Sequence, residues 1–592
     1  MSAFDGSSRA LDLTSGPLLG SVVESDGSLA VVQVRDPSVL GRVAPADLVA
    51  LPGRHAGERL IGMVESVARS RCPDPGSNGT HAAGEAGVVR AMLIGTLDAA
   101  PKGDVFKRGA SSFPAVGSEC HLIEGEVLRR FMSILGENVA ADERLALGSF
   151  VAERGATAIA DGNRLFQRHA AVLGSTGSGK SWTVALMLER ASYLAHPNII
   201  VFDMHGEYAP LTRGTPERPP VARGLRVAGP GDRSDSDDVL FVPYWLLDRD
   251  EALSLILDET DPDAPNQAIR FSDHVHKLKV SSLHEGGYEE TAATVTVDSP
   301  VPYRLENLLA WLTADDEEKI VKQPSGDVIP GPYHGRLTRF ISRLQARLAD
   351  GRYAFMFNPP DECREYDWLV ETAGVLLDNS QGPGIKIIDF SEVPTEAVPV
   401  VAGVLARLLY DIQFWTDAEH RTPLCFVCDE AHLYMPTADG KGPTHREALR
   451  AFEQIAKEGR KYGVGLMIVS QRPADVSRTV LAQCNNFVVL RLTNDQDQDV
   501  IAQLVPQTLA RLTDVLPLLD VGEALLLGDA LLLPTRVKLD PPSIAPASAT
   551  RAFWNDWADQ PSSAAAIVDG VEALRRQVRP SGWRDAVEPL TR

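Results

Sequence analysis

At 592 residues the chain has room for three or four domains of roughly 150 residues each, and its 44% hydrophobic content is that of a globular protein. A net charge of −22 argues against a chain that coats nucleic acid indiscriminately, although a local basic lining is independent of the total. Six scattered cysteines, a small polar N-terminus and no apolar run of ~18–20 residues argue against a disulfide scaffold and a membrane anchor, and predict a cytoplasmic protein with no membrane partner.

Residues 1–144 read as a small β-barrel. Short Val- and Ile-rich runs (Leu29–Val34, Asp47–Leu51, Leu60–Val67, Val88–Leu97) are separated by Gly, Pro, Asp and Ser. Such spacing favours a sheet that closes on itself and hides its edges. The Pro/Gly/Ser-rich stretch from Cys72 to Gly87 reads as an exposed loop.

From Leu145 strands alternate with helical stretches, the pattern of a parallel sheet with crossover helices. The first core segment spans 145–245. In it the apolar run Ala170–Leu173 meets Gly174-Ser175-Thr176-Gly177-Ser178-Gly179-Lys180-Ser181, followed by Trp182 and a helix-forming run from Thr183 to Leu194. This is a complete G-x-x-x-x-G-K-[ST] phosphate loop between a strand and a helix. Glycines let the backbone turn its N–H groups onto phosphate oxygens, and the helix N-terminus adds a favourable dipole. Residues 174–182 are the expected ATP-binding segment, with Lys180 on the β- and γ-phosphates and Ser181 on Mg²⁺. The next strand, Ile199–Asp203, runs into Met204-His205-Gly206-Glu207-Tyr208. Asp203 and Glu207 are candidates to bind Mg²⁺ through water or to position the attacking water, with a capping role as the alternative for Asp203.

Residues 246–370 are largely helical (Glu251–Leu257, Asn266–Leu278, Leu305–Leu312, Leu337–Leu348) and read as an insertion between the second and third strands. The second core segment, 371–540, supplies strands at Ile385–Phe390, Leu424–Asp429, Val464–Ser470, Phe487–Leu492 and Leu525–Leu527. Leu424-Cys-Phe-Val-Cys-Asp429-Glu430 ends an apolar strand in two acids. Paired buried carboxylates are costly, so their presence needs a cause. Asp429 suits the Mg²⁺ shell and Glu430 the base that orients attacking water. Cys425 and Cys428 form a lone C-x-x-C inside the same strand and read as core residues. Gln471 ends the Val464–Ser470 strand at the edge expected to face a nucleotide. Arg460, Arg168 and Arg450 are candidates for an arginine acting on a neighbouring copy's site. The stretch Arg446–Arg478 is locally basic, suiting either a pore lining along a DNA backbone or a solvated helix face with pairs such as Glu453–Lys457. The tail, 541–592, shows two weakly helical pieces at Thr550–Trp557 and Ala564–Val578.

Arg168-His169 before the phosphate loop, Asp203-Met-His-Gly-Glu-Tyr208, Asp429-Glu-Ala-His432, Glu458-Gly-Arg-Lys-Tyr-Gly463 and Ser470-Gln-Arg-Pro473, in that order, resemble the HerA branch of the HerA/FtsK ATPases. The resemblance runs from the N-terminal barrel to about Pro541. It implies an α/β fold, with a RecA-like P-loop NTPase core, a small N-terminal β-barrel and an inserted helical subdomain. It also implies a homohexameric ring around double-stranded DNA, with ATP sites between subunits and translocation driven by hydrolysis. The barrel would dock a partner, a nuclease or a sirtuin-like effector, in DNA end processing or antiphage defence. The alternative is a ring scaffold that ATP switches and that activates an effector without processive movement.

Overall fold

A computed structural model describes residues 11–576 apart from 56, 72–84, 101–102, 111, 215–218, 230, 233, 235, 237, 324, 438–441, 549–552 and 560–562. Most of the stretch read as an exposed loop from Cys72 thus lies outside the described residues, while 85–87 begin the strand Glu85–Asp98. The chain forms two compact units that cut across the expected domain limits. One comprises Met1–Arg190, Gln471–Ala474 and Cys484–Pro542, and the other Ala191–Ser470, Asp475–Gln483 and Ser543–Arg592.

The first unit opens with the expected barrel. Leu18–Ser25 pairs with Leu29–Val34 and Glu119–Ile123, and Glu119–Ile123 pairs with Leu48–Pro52. Leu48–Pro52 pairs with Glu58–Arg71, which pairs with Glu85–Asp98, and Glu85–Asp98 returns to Leu29–Val34. Six antiparallel strands thereby close on themselves, and the short strand Val105–Arg108 extends the fifth. Alternation sets the inside: Ala30, Val32 and Val34 point into a core with Leu19, Val22, Val49, Leu60, Val64 and Val89. After the helix Gly125–Glu137, six further strands form a sheet in the order Ala170–Leu173, Asn486–Val489, Glu523–Gly528, Thr535–Leu539, Arg144–Phe150, Thr157–Asp161. Only the first pair is parallel. The strands at 144–150, 157–161 and 535–539 were not among those read from the sequence. Their mixture of charged, small and apolar residues lacks the unbroken apolar run that marked the others.

The second unit holds parallel strands in the order Val239–Leu240, Arg223–Val227, Ile385–Asp389, Ile199–Asp203, Leu424–Cys428, Val464–Ser470. The last four are buried at every residue, which explains their near-continuous apolar sequence. Phe202 sits at the centre, its ring 5.3 Å from Phe390, 5.7 Å from Phe426 and 6.5 Å from Phe452. Arg223–Val227 and Val239–Leu240 add two strands between 199–203 and the insertion where the sequence offered none. Arg223-Gly-Leu-Arg-Val is short, charged and half-buried, so it carries little strand signal.

The insertion is helical as expected, with helices at Arg249–Ile256, Ala264–Gly286, Leu305–Glu317 and Thr338–Ala349, plus an exposed hairpin of Lys319–Lys322 and Asp327–Pro330. A capping box, Asp248 with Glu251, starts the first helix. Arg407 ties that start to the helix Val398–Trp415 by bonding Glu251 at 2.8 Å, Asp411 at 3.2 Å and the Leu246 carbonyl at 2.8 Å. Among the described residues Val398–Trp415 alone has the length and apolar composition to cross a membrane, yet 72% of it is buried inside the fold. The tail carries helices at Phe553–Asp559 and Ala564–Arg576, the second with no buried residue.

Candidate functional site

The phosphate loop joins Ala170–Leu173 to the helix Lys180–Ala191, as the motif requires. Its glycines are needed for shape. Gly177 and Gly179 have φ of +74° and +107°, where a side chain is strained. A Cβ on Gly174 would lie 2.5 Å from Ser178 Oγ and 2.9 Å from Leu490 Cβ. The loop is pinned from the neighbouring strand and its continuation. Ser175 N–H donates to the Arg491 carbonyl at 2.8 Å, and Thr493 N–H donates to Ser175 Oγ at 3.3 Å. Gly522 N–H donates to the Ser178 carbonyl at 3.2 Å. Lys180 is buried, with Nζ 3.5 Å from the Ser175 carbonyl; Ser181 is half-buried and Trp182 exposed. Thr176 Oγ1 donates to Gln471 Oε1 at 2.6 Å, so the expected sensor glutamine touches the loop directly.

In the second unit the strand ends gather acids. Register places Asp203 opposite Asp389, and Phe202 opposite Cys428, so Asp429 follows at the same level. Asp203 is fully buried and accepts from the backbone N–H groups of His205 (3.3 Å), Glu207 (3.0 Å) and Tyr208 (2.9 Å). The structure thus gives Asp203 the capping task, and this cap shapes the 204–208 turn that carries Glu207. Burial first, then the Asp389 charge, raises the Asp203 carboxyl to about 7, against the hydrogen bonds that lower it. Burial likewise pushes Asp429 well above the ordinary carboxylate range, with Glu430, Asp203 and Glu207 adding repulsion. A set of acids that disfavours its own ionisation is relieved by a cation. No three His, Cys, Asp or Glu side chains among the described residues form a ready-made cage. Mg²⁺ in general keeps several waters and takes one or two protein ligands beside phosphate oxygens.

Glu430 is buried and sits at φ 45°, ψ 45°, a left-handed backbone that a non-glycine residue adopts at a cost. Its neighbours hold it there. Its N–H donates to Asp429 Oδ1 at 3.0 Å, and its carbonyl accepts from Leu433 N–H at 2.9 Å. The buried Tyr434 hydroxyl donates to the Asp429 carbonyl at 2.9 Å. Sequence reasoning missed Asp389, although Ile385-Lys-Ile-Ile-Asp389 ends in an acid as the adjacent Ile199–Asp203 does. It also gave no role to His432, whose Nδ1 lies 3.3 Å from Glu430 Oε2.

The arginine candidates differ. Arg168 Nη1 bonds Asp529 Oδ2 at 2.6 Å within the first unit. Arg460 is exposed beside Lys461 and Tyr462. Arg450 pairs with Asp250 at 3.2 Å, Arg446 pairs with Glu259, and Lys457 pairs with Glu453 at 3.1 Å. The helix Pro443–Glu458 therefore has the paired, solvated face that was one of the two readings of the basic stretch. Cys425 and Cys428 are buried in their strand, and burial pushes the Cys425 thiol up to about 12.

Residues 145–409 match the family described as "Helicase HerA, central domain", and residues 400–549 match "Helicase HerA-like C-terminal". A probable helicase of Methanocaldococcus jannaschii is 27% identical over 450 residues, covering 74% of either chain. The DNA double-strand break repair helicase HerA of Pyrococcus furiosus is 24% identical over 444 residues, 70% of this chain and 73% of that one. Among solved structures, VirB4 of Thermoanaerobacter pseudethanolicus overlays with a TM-score of 0.46 at 17% identity, covering 68% of this chain and 97% of that one.

Proposed function

This chain belongs to the HerA family of P-loop ATPases, and from that premise we propose that it works as a homohexameric ring that moves along double-stranded DNA. The observations that carry the reading are a correctly shaped phosphate loop in one unit and, in the other, a buried parallel strand followed by Asp429 and Glu430.

The proposed division of labour follows from residue chemistry. Residues 174–182 wrap the triphosphate, and Lys180 neutralises its β- and γ-oxygens. Ser181 and Asp429 would hold Mg²⁺, with Glu207 reaching it through water, and the ion would offset the phosphate charge. Asp203 acts one step back, by shaping the turn before Glu207. Glu430 orients the lytic water. Gln471, bonded to Thr176, reports on the γ-phosphate. The positive charge that phosphoryl transfer needs comes from a neighbouring copy. Exposed Arg460 suits that task better than Arg168, which already has a carboxylate partner.

The relatives carry names of DNA repair helicases, which supports duplex DNA as the track. We place the effector, a nuclease or a sirtuin-like enzyme in end processing or antiphage defence, on the closed N-terminal barrel, and the protein in the cytoplasm. The net charge of −22 favours a second reading, an ATP-switched scaffold that activates the effector without moving along DNA. Light scattering with nucleotide should give a six-chain mass, and the ring should be retained on linear duplex only when both ends are blocked. A single chain, or equal retention on open and blocked duplex, contradicts the motor.

A further inference from the structure

The Asp429-Glu430 pair is followed by a residue that the hydrolytic scheme does not use. His432 lies in the turn Ala431–Leu433 and is largely buried, its side chain 16% exposed. One ring nitrogen faces two groups: Nδ1 is 3.3 Å from Glu430 Oε2 and 3.5 Å from Ser470 Oγ. Ser470 is fully buried, is the last residue of the Val464–Ser470 strand and precedes Gln471 in the chain.

This arrangement answers a problem that Glu430 poses. Its backbone is strained, and its carboxylate lies beside Asp429 in a group whose charges repel. The largely buried imidazole, its Nδ1 3.3 Å from Oε2 and bonded to the Ser470 hydroxyl at 3.5 Å, backs that carboxylate and limits its rotation.

We propose that His432 is a positioning residue: its imidazole, anchored on the Ser470 hydroxyl and 3.3 Å from Oε2, keeps the Glu430 carboxylate in the orientation that activates water. The inference rests on the reading of Glu430 as the hydrolytic base. His432 touches no reacting atom in this account. It sets the geometry of the group that does, so its loss slows the chemical step and leaves nucleotide capture intact.

Steady-state ATP hydrolysis by the full-length protein, with binding of a non-hydrolysable ATP analogue, tests this. His432→Leu removes the ring nitrogens and keeps bulk; His432→Asn keeps a polar nitrogen near the position of Nδ1. His432→Leu should lower kcat by about tenfold or more, with KM and analogue affinity within about twofold of wild type. His432→Asn should recover most of the loss. A His432→Leu protein with wild-type kcat overturns the proposal. So does a kcat loss accompanied by an equal loss of analogue affinity, and so does a His432→Asn protein no faster than His432→Leu. Glu430→Gln, measured alongside, separates the two claims: turnover surviving in that variant sinks the reading of Glu430 itself, whatever His432 does.

Discussion

The phosphate loop and the acidic strand ends do complementary work by opposite means. In the loop, glycines at φ +74° and +107° and backbone N–H groups shape the turn, and Ser175 Oγ and Thr176 Oγ1 anchor it. At the strand ends the backbone is ordinary except at Glu430, and the chemistry lies in carboxylates that burial and mutual repulsion hold at raised pKa. The loop spends conformational freedom, and the acid edge stores electrostatic strain. Binding should therefore depend on the first region and turnover on the second.

That division can be broken by single substitutions. Lys180→Ala should abolish hydrolysis, by at least about a hundredfold, and should weaken nucleotide binding as well, read by calorimetry. Glu430→Gln should cost a similar factor in turnover while analogue affinity stays near wild type; a parallel loss of affinity would erase the distinction between the regions. Gly174→Ala forces a Cβ to 2.5 Å from Ser178 Oγ. It should lower unfolding stability by about 1–3 kcal/mol and weaken nucleotide binding, measured by thermal melts with and without the analogue. Tyr434→Phe removes one buried donor to the Asp429 carbonyl and should cost about 1 kcal/mol, the smallest of these effects.

A buried amine away from both regions gives a control on electrostatic strain. Lys279 is buried and donates to the carbonyls of Val297 (2.7 Å) and Ser299 (2.6 Å). Burial lowers its amine from 10.5 to about 7. Between those values the unfolded chain binds the extra proton, so stability rises with pH. The gain is complete above about pH 10.5 and is lost as pH falls to about 7. Lys279→Met should flatten that rise in denaturant titrations across the window.

The legible parts were those with strong local rules. The phosphate loop, the four fully buried parallel strands and the barrel announced themselves through glycine spacing, unbroken apolar runs and turn residues. Thr157–Asp161 and Thr535–Leu539 did not: the first is a short strand of mixed polarity at the end of the sheet order, and the second also needs Arg144–Phe150, far along the chain. Arg223–Val227 was hidden by its charges. The same distance effect hid Asp389, whose role emerges only when parallel register sets it opposite Asp203. His432 stood within a recognised motif, but only the fold brings Ser470 to the same ring nitrogen.

The central claim is that ATP cleavage in this chain is coupled to duplex DNA. The most direct test is the steady-state ATPase rate of wild type and Glu430→Gln across a titration of blunt linear duplex. The account predicts a wild-type rate that climbs and saturates with duplex while the variant stays at background. A wild-type rate flat across the titration, or a variant that responds as wild type does, would contradict it.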